Sequence, residues 1–177
     1  MVIAGNLTID FGNIPAEQQS VAHVAVGGPE KLARRREAGV LNARERIDHL
    51  ADGGSFTEFG LFAQSHREAD RERSPADGKI SGIVRVDGRP VAVVSNDFTV
   101  MGASSSTVNS RKIGHVKDLA TRRGMPIVFL GESTGARMPD VMGARGIGAG
   151  DRPTQYRRMR DTPWASAVLG HCYGSSS

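Results

Sequence analysis

Hydrophobic and polar positions alternate most clearly between residues 79 and 95. Lys79–Val86 carries small or apolar residues at every second position, Asp87 and Gly88 provide a type I′ turn sequence, and Pro90–Ser95 returns as an apolar run. This pattern predicts a β-hairpin. The returning segment is apolar on both faces, which is typical of a strand covered by helices on both sides of a sheet.

A helical period follows the hairpin and leads into further strands. Three apolar residues recur at helical spacing after Ser104–Ser106, whose hydroxyls offer an N-cap, and Gly124 closes the helix after about five turns. Short apolar segments at Ile127–Leu130 and Ala165–Leu169 predict two more strands. Because a strand, a helix and a strand in this order form a right-handed crossover, we expect a partly parallel sheet and an α/β fold.

Two short helices are predicted ahead of the hairpin. A proline and a glycine bracket Glu30–Ala38, which is rich in helix-forming residues. Asn42, followed three residues later by a glutamate, resembles a capping box that opens a second helix over Ala43–Leu50. Residues 1–28 show no sustained period, so we interpret them as an N-terminal arm and residues 29–177 as one domain.

The connecting segments differ in composition. Aromatic and β-branched residues over Ser55–Phe62 predict a short strand, while the charged segment His66–Ser74 is expected to be an exposed loop. Residues 143–150 are rich in glycine, and residues 151–160 are rich in charged side chains. No role follows from the sequence for residues 141–164.

Composition places the chain among ordinary globular proteins. Its 177 residues are 38% apolar, which is enough for one domain with a core. No apolar run reaches the roughly 20 residues of a membrane span, and no signal-peptide pattern opens the sequence, so we expect a cytoplasmic protein. The single cysteine, Cys172, excludes an internal disulfide, and because metal-ligand spacing is missing we expect no metal.

The charge balance favours an anionic partner. The formal net charge is +4 and arginines cluster at several places in the chain, so a phosphate-bearing ligand would fit. The alternative is that these side chains lie on solvated helix faces. Nucleic acid is not expected, because aromatic residues make up only 5% of the chain and no RNA-binding or zinc-finger motif is present.

Three junctions at the ends of predicted strands are rich in glycine, alanine and serine. They are Asn96–Ser106, Gly131–Arg137 and Gly170–Ser177. In α/β sheets ligands bind where strands end, and small residues let a ligand approach the main chain closely. Such a composition favours catalysis by backbone N–H donors over catalysis by side-chain acids, although glycines of this kind also serve turns and tight packing.

Three segments, in their order along the chain, resemble one protein family. They read KLARRREAGVLNARERIDHLADGGSFTEF, SNDFTVMGASSSTVNSRKIGHVKDLA and GESTGARM. They are similar to the N-terminal domain of the biotin-dependent acyl-CoA carboxyltransferases found in propionyl-CoA and acetyl-CoA carboxylases. The resemblance implies a crotonase-like α/β fold, an acyl-CoA substrate, and carboxyl transfer between that thioester and biotin on a separate carrier. It also implies biotin carboxyl carrier and biotin carboxylase partners, and an oligomer.

The resemblance further implies site residues. Main-chain donors that hold a thioester enolate, the catalytic groups, are expected in the segment GHCYGSSS at Gly174 and Ser175. Residues that border the acyl-CoA are expected at the two other junctions: Gly102, Ala103, Ser104, Gly135, Ala136 and Arg137. In this family the base is generally assigned to the ureido group of biotin, so an acidic pair is not needed. For the Arg137 side chain a structural ion pair is the alternative.

The chain departs from the family pattern at three positions, in length, and strongly over Val141–Trp164, where a segment rich in glycine and arginine is inserted. Glu132 stands where the family has aspartate, and Thr134 and Ser175 each stand where it has glycine. Family subunits carry two crotonase-like halves, whereas this chain ends inside the first. We therefore expect no turnover by the chain alone.

Two other functions stay open. A crotonase-type hydratase would use the same oxyanion geometry, but it needs carboxylates shortly after the glycine motif, and only serines follow Gly174. A non-catalytic truncated or scaffold subunit of a larger carboxylase assembly also accounts for the length of the chain.

Polar residues beside these motifs have structural interpretations. For Arg44 and Arg46, ion pairs with carboxylates of their own helix are preferred to ligand contacts. His171 and Cys172 are interpreted as packing residues and not as nucleophiles, because no acidic group that would orient a base is evident nearby in the sequence.

Overall fold

A five-stranded mixed sheet forms the centre of the structure. The computed structural model describes residues 26–142 and 162–173. The helices are α1 (Pro29–Glu37), α2 (Ala43–Leu50), α3 (Thr107–Arg123) and α4 (Met138–Val141). The strands are β1 (Thr57–Glu58), β2 (Lys79–Val86), β3 (Arg89–Asn96), β4 (Ile127–Ser133) and β5 (Trp164–Cys172). They lie in the order β1-β2-β3-β4-β5, antiparallel from β1 to β3 and parallel from β3 to β5, which confirms the predicted α/β class.

The β2–β3 hairpin confirms the clearest prediction from the sequence. Each residue of β2 is paired with a residue of β3 in a continuous antiparallel register. Asp87 and Gly88 have left-handed backbones, with φ of 50° and 74°, as a type I′ turn requires. The carboxylate of Asp52 accepts hydrogen bonds from both of their N–H groups, at 3.0 and 2.8 Å, and so fixes the turn.

The strand predicted over Ser55–Phe62 is wrong in its extent. Only Thr57–Glu58 pairs with β2. Gly60 has φ of 68°, outside the extended region, and β1 ends before it. β1 passes close to Gly82, where an added Cβ would lie 2.0 Å from the carbonyl oxygen of Thr57, so only glycine fits at this position of β2.

Capping groups set the helix ends as predicted. Asn42 accepts hydrogen bonds from the N–H groups of Arg44 and Glu45, and the Glu45 carboxylate accepts one from the Asn42 N–H at 2.8 Å, which completes a capping box. This last hydrogen bond lowers the pKa of Glu45. α3 begins after Ser106, which caps it, and ends at Gly124, whose φ is 63°.

β4 and β5 are longer than their apolar sequences predict. β4 continues past Leu130 to Ser133, and β5 extends on both sides of Ala165–Leu169. Their glycine and polar residues stay extended because β4 and β5 pair with each other nearly to their ends. The parallel pairing of β4 with both β3 and β5 confirms the parallel part of the predicted sheet.

The charged segment His66–Ser74 is mostly exposed, as predicted, and contains one short 3₁₀ turn at Glu68–Asp70. Its base is closed by a hydrogen bond of 2.8 Å from the Ser65 N–H to the Ser74 hydroxyl oxygen, and both residues are buried. The segment is therefore anchored where it leaves the core, while its charged side chains face solvent.

Two apolar clusters lie on opposite faces of the sheet. The first joins α2 to the sheet through Ile47, Ile80 and Val93. The second joins α3 to the sheet through Val116 and Val94. Neighbouring residues of β3 thus belong to different clusters, so β3 is covered on both faces, as its continuous apolar sequence predicts.

Some predictions fall outside the described residues. Residues 1–25 of the N-terminal arm and residues 143–161 are among these, and the division into an arm and one domain stays a prediction. Val26, near the end of the arm, is buried in the first cluster. No helix in the described ranges is long and apolar enough to cross a membrane. Within the same ranges, no group of three or more His, Cys, Asp or Glu side chains is placed to hold a metal ion.

Candidate functional site

The three predicted junctions meet at one edge of the sheet. β3, β4 and β5 run parallel, so their carboxyl ends lie side by side. The segments that leave these ends carry the small residues singled out in the sequence, and this is the edge at which α/β sheets bind ligands. We call two segments the loop pair: residues 101–106, which come after β3, and residues 133–137, which begin at the last residue of β4.

Main-chain hydrogen bonds join the two members of the loop pair. The Ser105 N–H donates to the Gly135 carbonyl oxygen at 2.8 Å, and the Arg137 N–H donates to the Ser105 carbonyl oxygen at 2.8 Å. A third bond, of 2.9 Å, runs from the Thr134 N–H to the Gly102 carbonyl oxygen. The structure therefore brings together the two sets of predicted substrate-binding residues, 102–104 and 135–137.

A left-handed turn forms the first half of the loop pair. Met101, Gly102 and Ala103 have φ of 48°, 62° and 49°. A Cβ on Gly102 would lie 2.6 Å from Cγ2 of Thr134, and the Thr134 hydroxyl donates to the Gly102 carbonyl oxygen at 3.3 Å. Gly102 is thus required both by its backbone conformation and by the Thr134 side chain that covers it.

The end of β5 lies beside the second half of the loop pair. The Tyr173 N–H donates to the Ser133 carbonyl oxygen at 3.1 Å, and a Cβ on Gly135 would meet the Tyr173 side chain at 3.5 Å. The predicted catalytic residues Gly174 and Ser175 lie outside the described residues, so their role stays a prediction.

The residues before them make ring contacts. The rings of His171 and Tyr173 stack at 6.2 Å between centroids, and Phe98 lies 6.4 Å from His171. Cys172 is a half-buried free thiol. His171 itself is exposed, so these ring contacts lie at the surface and the interpretation of His171 as a packing residue stays a prediction.

A buried network centred on Asp77 supports the loop pair from below. One oxygen of Asp77 accepts a hydrogen bond of 2.7 Å from the Arg137 guanidinium, and the other accepts from the Ser106 hydroxyl and the Asn109 N–H. The Asn109 amide donates to the Ser104 carbonyl oxygen at 2.8 Å, and Arg137 Nε donates to the Ser104 hydroxyl at 3.1 Å. The Arg137 guanidinium is therefore engaged in a structural ion pair inside the protein.

Lys79, the first residue of β2, lies under the same loops. Its side chain is 1% exposed, and its ammonium donates to the Ala103 carbonyl oxygen at 2.8 Å. The Ser133 hydroxyl donates to the same oxygen at 3.1 Å. Burial lowers the pKa of Lys79 to about 7, while the charges of Cys172 and Asp77 act in the opposite direction.

A second buried lysine, Lys112 of α3, lies near the start of β2. Its ammonium donates to the carbonyl oxygens of Ala76 and Lys79, at 3.2 and 2.5 Å. Its methylene groups pack on Gly60, where a Cβ would approach them to 3.0 Å. Burial lowers the pKa of Lys112 to about 8. Both buried lysines thus bind main-chain carbonyls, but only Lys79 binds one in the loop pair.

Glu132 ties the N-terminal helices to β4. Its carboxylate pairs with Arg35 of α1 at 2.6 Å and with Arg46 of α2 at 2.7 Å. Gly170 of β5 leaves room for this carboxylate, because a Cβ there would lie 2.8 Å from one of its oxygens. This cluster explains why an acidic residue occupies position 132 in the sequence.

The arginine clusters of the N-terminal helices are engaged within the protein. Arg34 pairs with Glu30 at 2.7 Å and Arg36 with Glu45 at 3.2 Å. Arg44 pairs with Glu58 of β1 at 2.6 Å. Ion pairs were expected for Arg44 and Arg46, but the expected partners on their own helix are wrong. Both side chains instead reach carboxylates of the sheet, Arg44 that of Glu58 in β1 and Arg46 that of Glu132 in β4.

Besides Asp77, which bonds to the loop pair directly, two further carboxylates near it are buried, those of Asp97 and Asp140. Asp97, at the end of β3, accepts hydrogen bonds from the N–H and hydroxyl of Thr99 at 2.9 and 2.5 Å. Burial raises the pKa of Asp97, against the effect of these bonds. Asp140 lies 3.7 Å from Arg137 and 3.2 Å from His66. Among the residues that the structure describes, the loop pair thus offers a ligand main-chain groups and small side chains, not an acid.

The fold and the loop pair together define an α/β protein whose parallel strands end in small, hydrogen-bonded loops. A family model described as the carboxyl transferase domain matches residues 34–177. The chain therefore belongs to the carboxyl transferase family, which confirms the resemblance of its three sequence segments.

Curated relatives of known name match most of this chain. The carboxyltransferase subunit of propionyl-CoA carboxylase from Haloferax mediterranei is 37% identical over 158 residues, which are 85% of this chain and 30% of the relative. The alpha subunit of methylmalonyl-CoA decarboxylase from Propionigenium modestum is 35% identical over 157 residues. This alignment covers 85% of this chain and 30% of the relative. The chain spans about 30% of the length of these relatives.

Solved structures give the same result for the fold. The hexameric transcarboxylase 12S core, solved with methylmalonyl-CoA bound, matches with a TM-score of 0.67 and 34% identity over 76% of this chain and 26% of that one. A single-chain, multi-domain long-chain acyl-CoA carboxylase matches with a TM-score of 0.78 and 31% identity. The match covers 92% of this chain and 18% of that one. These similarities confirm the predicted crotonase-like α/β fold.

Proposed function

We propose that this chain supplies the acyl-CoA-binding part of a carboxyltransferase that moves a carboxyl group between carboxybiotin and an acyl-CoA. The observation that carries the proposal is the loop pair, in which three main-chain hydrogen bonds hold two glycine-containing loops together at the carboxyl ends of parallel strands. The names of the relatives, which include propionyl-CoA and methylmalonyl-CoA, support an acyl-CoA as the substrate.

The site residues take different roles in this proposal. Gly102 and Ala103 border the acyl chain through their backbones, together with Ser104. Gly135 and Ala136 border it from the other loop, while Arg137 contributes by holding Ser104 in place through its buried side chain.

The chemistry requires an oxyanion hole. Removing a proton next to a thioester carbonyl produces an enolate, and fixed N–H donors stabilise the charge that develops on its oxygen. We propose the main-chain N–H groups of Gly174 and Ser175 as these donors. Each such donor is worth about 3 to 4 kcal/mol of transition-state stabilisation.

Biotin, when delivered by its carrier, supplies the carboxyl group and the base. No described residue is assigned to biotin, and the resemblance places its binding on a second crotonase-like half. We propose that a biotin carboxyl carrier, a biotin carboxylase component and further copies of the carboxyltransferase complete the assembly. The hexameric transcarboxylase core supports this view. The chain as given spans about 30% of the length of its relatives, and we expect these residues alone to bind acyl-CoA without turning it over.

Calorimetry with propionyl-CoA tests the binding proposal. The purified chain should bind propionyl-CoA saturably, and Gly102→Val should weaken binding at least about tenfold, because the new side chain meets Thr134. Gly88→Val is the matched control, since Gly88 has a left-handed backbone like Gly102 but no atom within 4 Å of an added Cβ. Absence of binding to propionyl-CoA, methylmalonyl-CoA and CoA would contradict the proposal and favour a scaffold role.

Variants of the assembled, biotin-loaded enzyme test the oxyanion hole. Ser175→Ala should be mild, because a main-chain N–H survives the change, whereas Gly174→Pro should remove most turnover. Circular dichroism verifies folding in both cases. A folded Ser175→Ala enzyme without activity would instead point to a nucleophilic hydroxyl.

A further inference from the structure

Lys79 is a buried cation whose ammonium, within the described part of the chain, donates to a carbonyl oxygen of the loop pair. The side chain is 1% exposed, and its ammonium meets the Ala103 carbonyl oxygen at 2.8 Å. Among the described residues, no carboxylate lies within 4.0 Å of this ammonium, since none forms an ion pair with it. Its printed hydrogen bond therefore goes to a main-chain carbonyl of the proposed substrate loop, while Asp77 favours the charged form from a distance greater than 4.0 Å.

Burying an ammonium in this way carries a large cost. The effective penalty is several kcal/mol per ion, and a single charge-assisted hydrogen bond returns only part of it. An apolar residue at the start of β2 would fill this space without the penalty. A lysine differs from such a residue because its ammonium can donate a hydrogen bond to the Ala103 carbonyl oxygen.

The Ala103 carbonyl is the point at which the left-handed turn is fixed to the core. Ala103 has φ of 49°, a conformation that an alanine adopts only at a cost. Its oxygen accepts from Lys79 and also from the Ser133 hydroxyl, at 3.1 Å. The two donors come from different strands, so they clamp the peptide from two directions.

We propose that Lys79 is a positioning residue for acyl-CoA binding, because its ammonium holds the Ala103 carbonyl and thereby keeps the turn at Met101–Ala103 in the geometry that borders the acyl chain. This inference rests on the proposed function of the loop pair. It assigns the lysine an effect on substrate affinity that acts through Ala103, without contact between Lys79 and the substrate.

The charge state of Lys79 makes the inference testable by pH. Burial lowers its pKa to about 7, and the groups that face it are Cys172 of β5, Asp77 before β2, and Arg137 after β4. As pH rises through this value the ammonium becomes a neutral amine, which is a weaker donor to the carbonyl. Substrate affinity should therefore fall as pH rises.

A merely structural lysine would give the opposite trend. Losing the proton removes the buried charge, so the folded state becomes more stable as pH rises above about 7. If Lys79 affected binding only through overall stability, affinity would stay level or improve over the same range. The direction of the pH effect thus separates a positioning role from a structural one.

The experiment compares Lys79→Gln with Lys112→Gln, the other buried lysine that binds carbonyl oxygens. Propionyl-CoA affinity is measured by calorimetry between pH 6 and 8.5. We expect the wild-type affinity to fall about tenfold relative to Lys79→Gln across this range. Lys112→Gln should keep the wild-type profile. Taking the ratio to the variant cancels the titration of the CoA phosphates, which affects all three proteins equally.

A second measurement does not depend on the ligand. The carbonyl ¹³C resonance of Ala103 should shift with a midpoint near pH 7 in the wild type, following the pKa of Lys79, and should stay constant in Lys79→Gln. If Lys79→Gln does not fold, Ser133→Ala removes the other donor to this oxygen and should weaken binding while Lys79 still titrates.

Failures of the two ideas are distinguishable. A wild-type chain that binds no acyl-CoA overturns the proposed function and, with it, the substrate role of Lys79. Normal wild-type binding with an unchanged affinity and pH profile in Lys79→Gln overturns the inference alone, as does an Ala103 resonance that does not titrate.

Discussion

Two left-handed turns in this protein are held in different ways. The hairpin turn at Asp87 and Gly88 has φ of 50° and 74°, and the turn at Met101–Ala103 has φ of 48°, 62° and 49°. The hairpin turn is exposed, with open space around Gly88, whereas Gly102 is covered by Thr134. Similar backbone conformations therefore occur in very different surroundings.

The partners of the second turn come from distant parts of the chain. Lys79, Ser133 and Thr134 bind it across 24, 30 and 32 residues. The hairpin turn follows directly from its own two strands and needs only the Asp52 carboxylate in addition. The comparison teaches that the turn next to the proposed site exists only because the sheet around it is complete.

The largest expected difference between the two regions involves a carboxylate in each. Asp77→Ala should lower the free energy of unfolding by about 3 to 5 kcal/mol, because it leaves the Arg137 guanidinium buried without its 2.7 Å partner. Asp52→Ala, at the exposed hairpin turn, should cost only about 1 kcal/mol. Urea unfolding measures both, and equal losses would break the comparison.

A glycine in each turn gives the next largest effect. Gly88→Ala should cost about 1 kcal/mol, the penalty of a left-handed alanine with open space around it. Gly102→Ala should cost about 3 kcal/mol, because a Cβ at 2.6 Å from Thr134 adds overpacking to that penalty. If the two variants have the same midpoint of thermal unfolding, Thr134 does not confine the turn.

The buried lysine predicts a smaller effect that depends on pH. In the unfolded chain Lys79 keeps the ordinary pKa of 10.5, while in the folded protein its pKa is about 7. Between these values the unfolded state binds more protons, so stability should rise with pH by up to about 1.4 kcal/mol per unit.

This increase is measured as the difference between the wild type and Lys79→Met from pH 7 to 8.5, and should approach about 2 kcal/mol. Below pH 7 the difference should be constant, since both states are then protonated. A difference that falls as pH rises would show that the lysine keeps its proton in the folded protein.

The smallest effect sharpens the role of Thr134. Thr134→Ala alone should change stability by less than about 0.5 kcal/mol, because its 3.3 Å hydrogen bond is exposed. In the Gly102→Ala background the same change should recover about 1 kcal/mol by removing Cγ2 from the added Cβ. Additive effects in this double-mutant cycle would mean that the two side chains do not meet.

The same contrast explains how much of the structure could be predicted. The hairpin, the capped helices and the parallel strands follow from local patterns, since alternation, caps and turn residues act over a few positions. The resemblance to carboxyltransferases, now confirmed for the family and the fold, predicted which loops border the acyl-CoA. The structure then placed residues 102–104 beside residues 135–137.

Other features depend on contacts that no local pattern contains. In the sequence, Asp77 resembles a turn residue and Lys79 resembles the polar first residue of a strand. In the structure both are buried under the loop pair. The burial of the Glu132 carboxylate in β4 depends on arginines from two helices. The two predicted catalytic residues, Gly174 and Ser175, stay predictions, because they lie outside the described residues.

The pairing of Asp77 with Arg137 also has a consequence for synthesis on the ribosome. The two residues are 60 positions apart. At about 5 to 20 residues per second, Arg137 is added about 3 to 12 s after Asp77. During that interval the hairpin and α3 can form, but the Asp77 carboxylate lacks its guanidinium partner and favours contact with water. We therefore expect the nascent chain to keep the loop region open until β4 has emerged, which leaves the strand edge of β3 available to chaperones in the meantime.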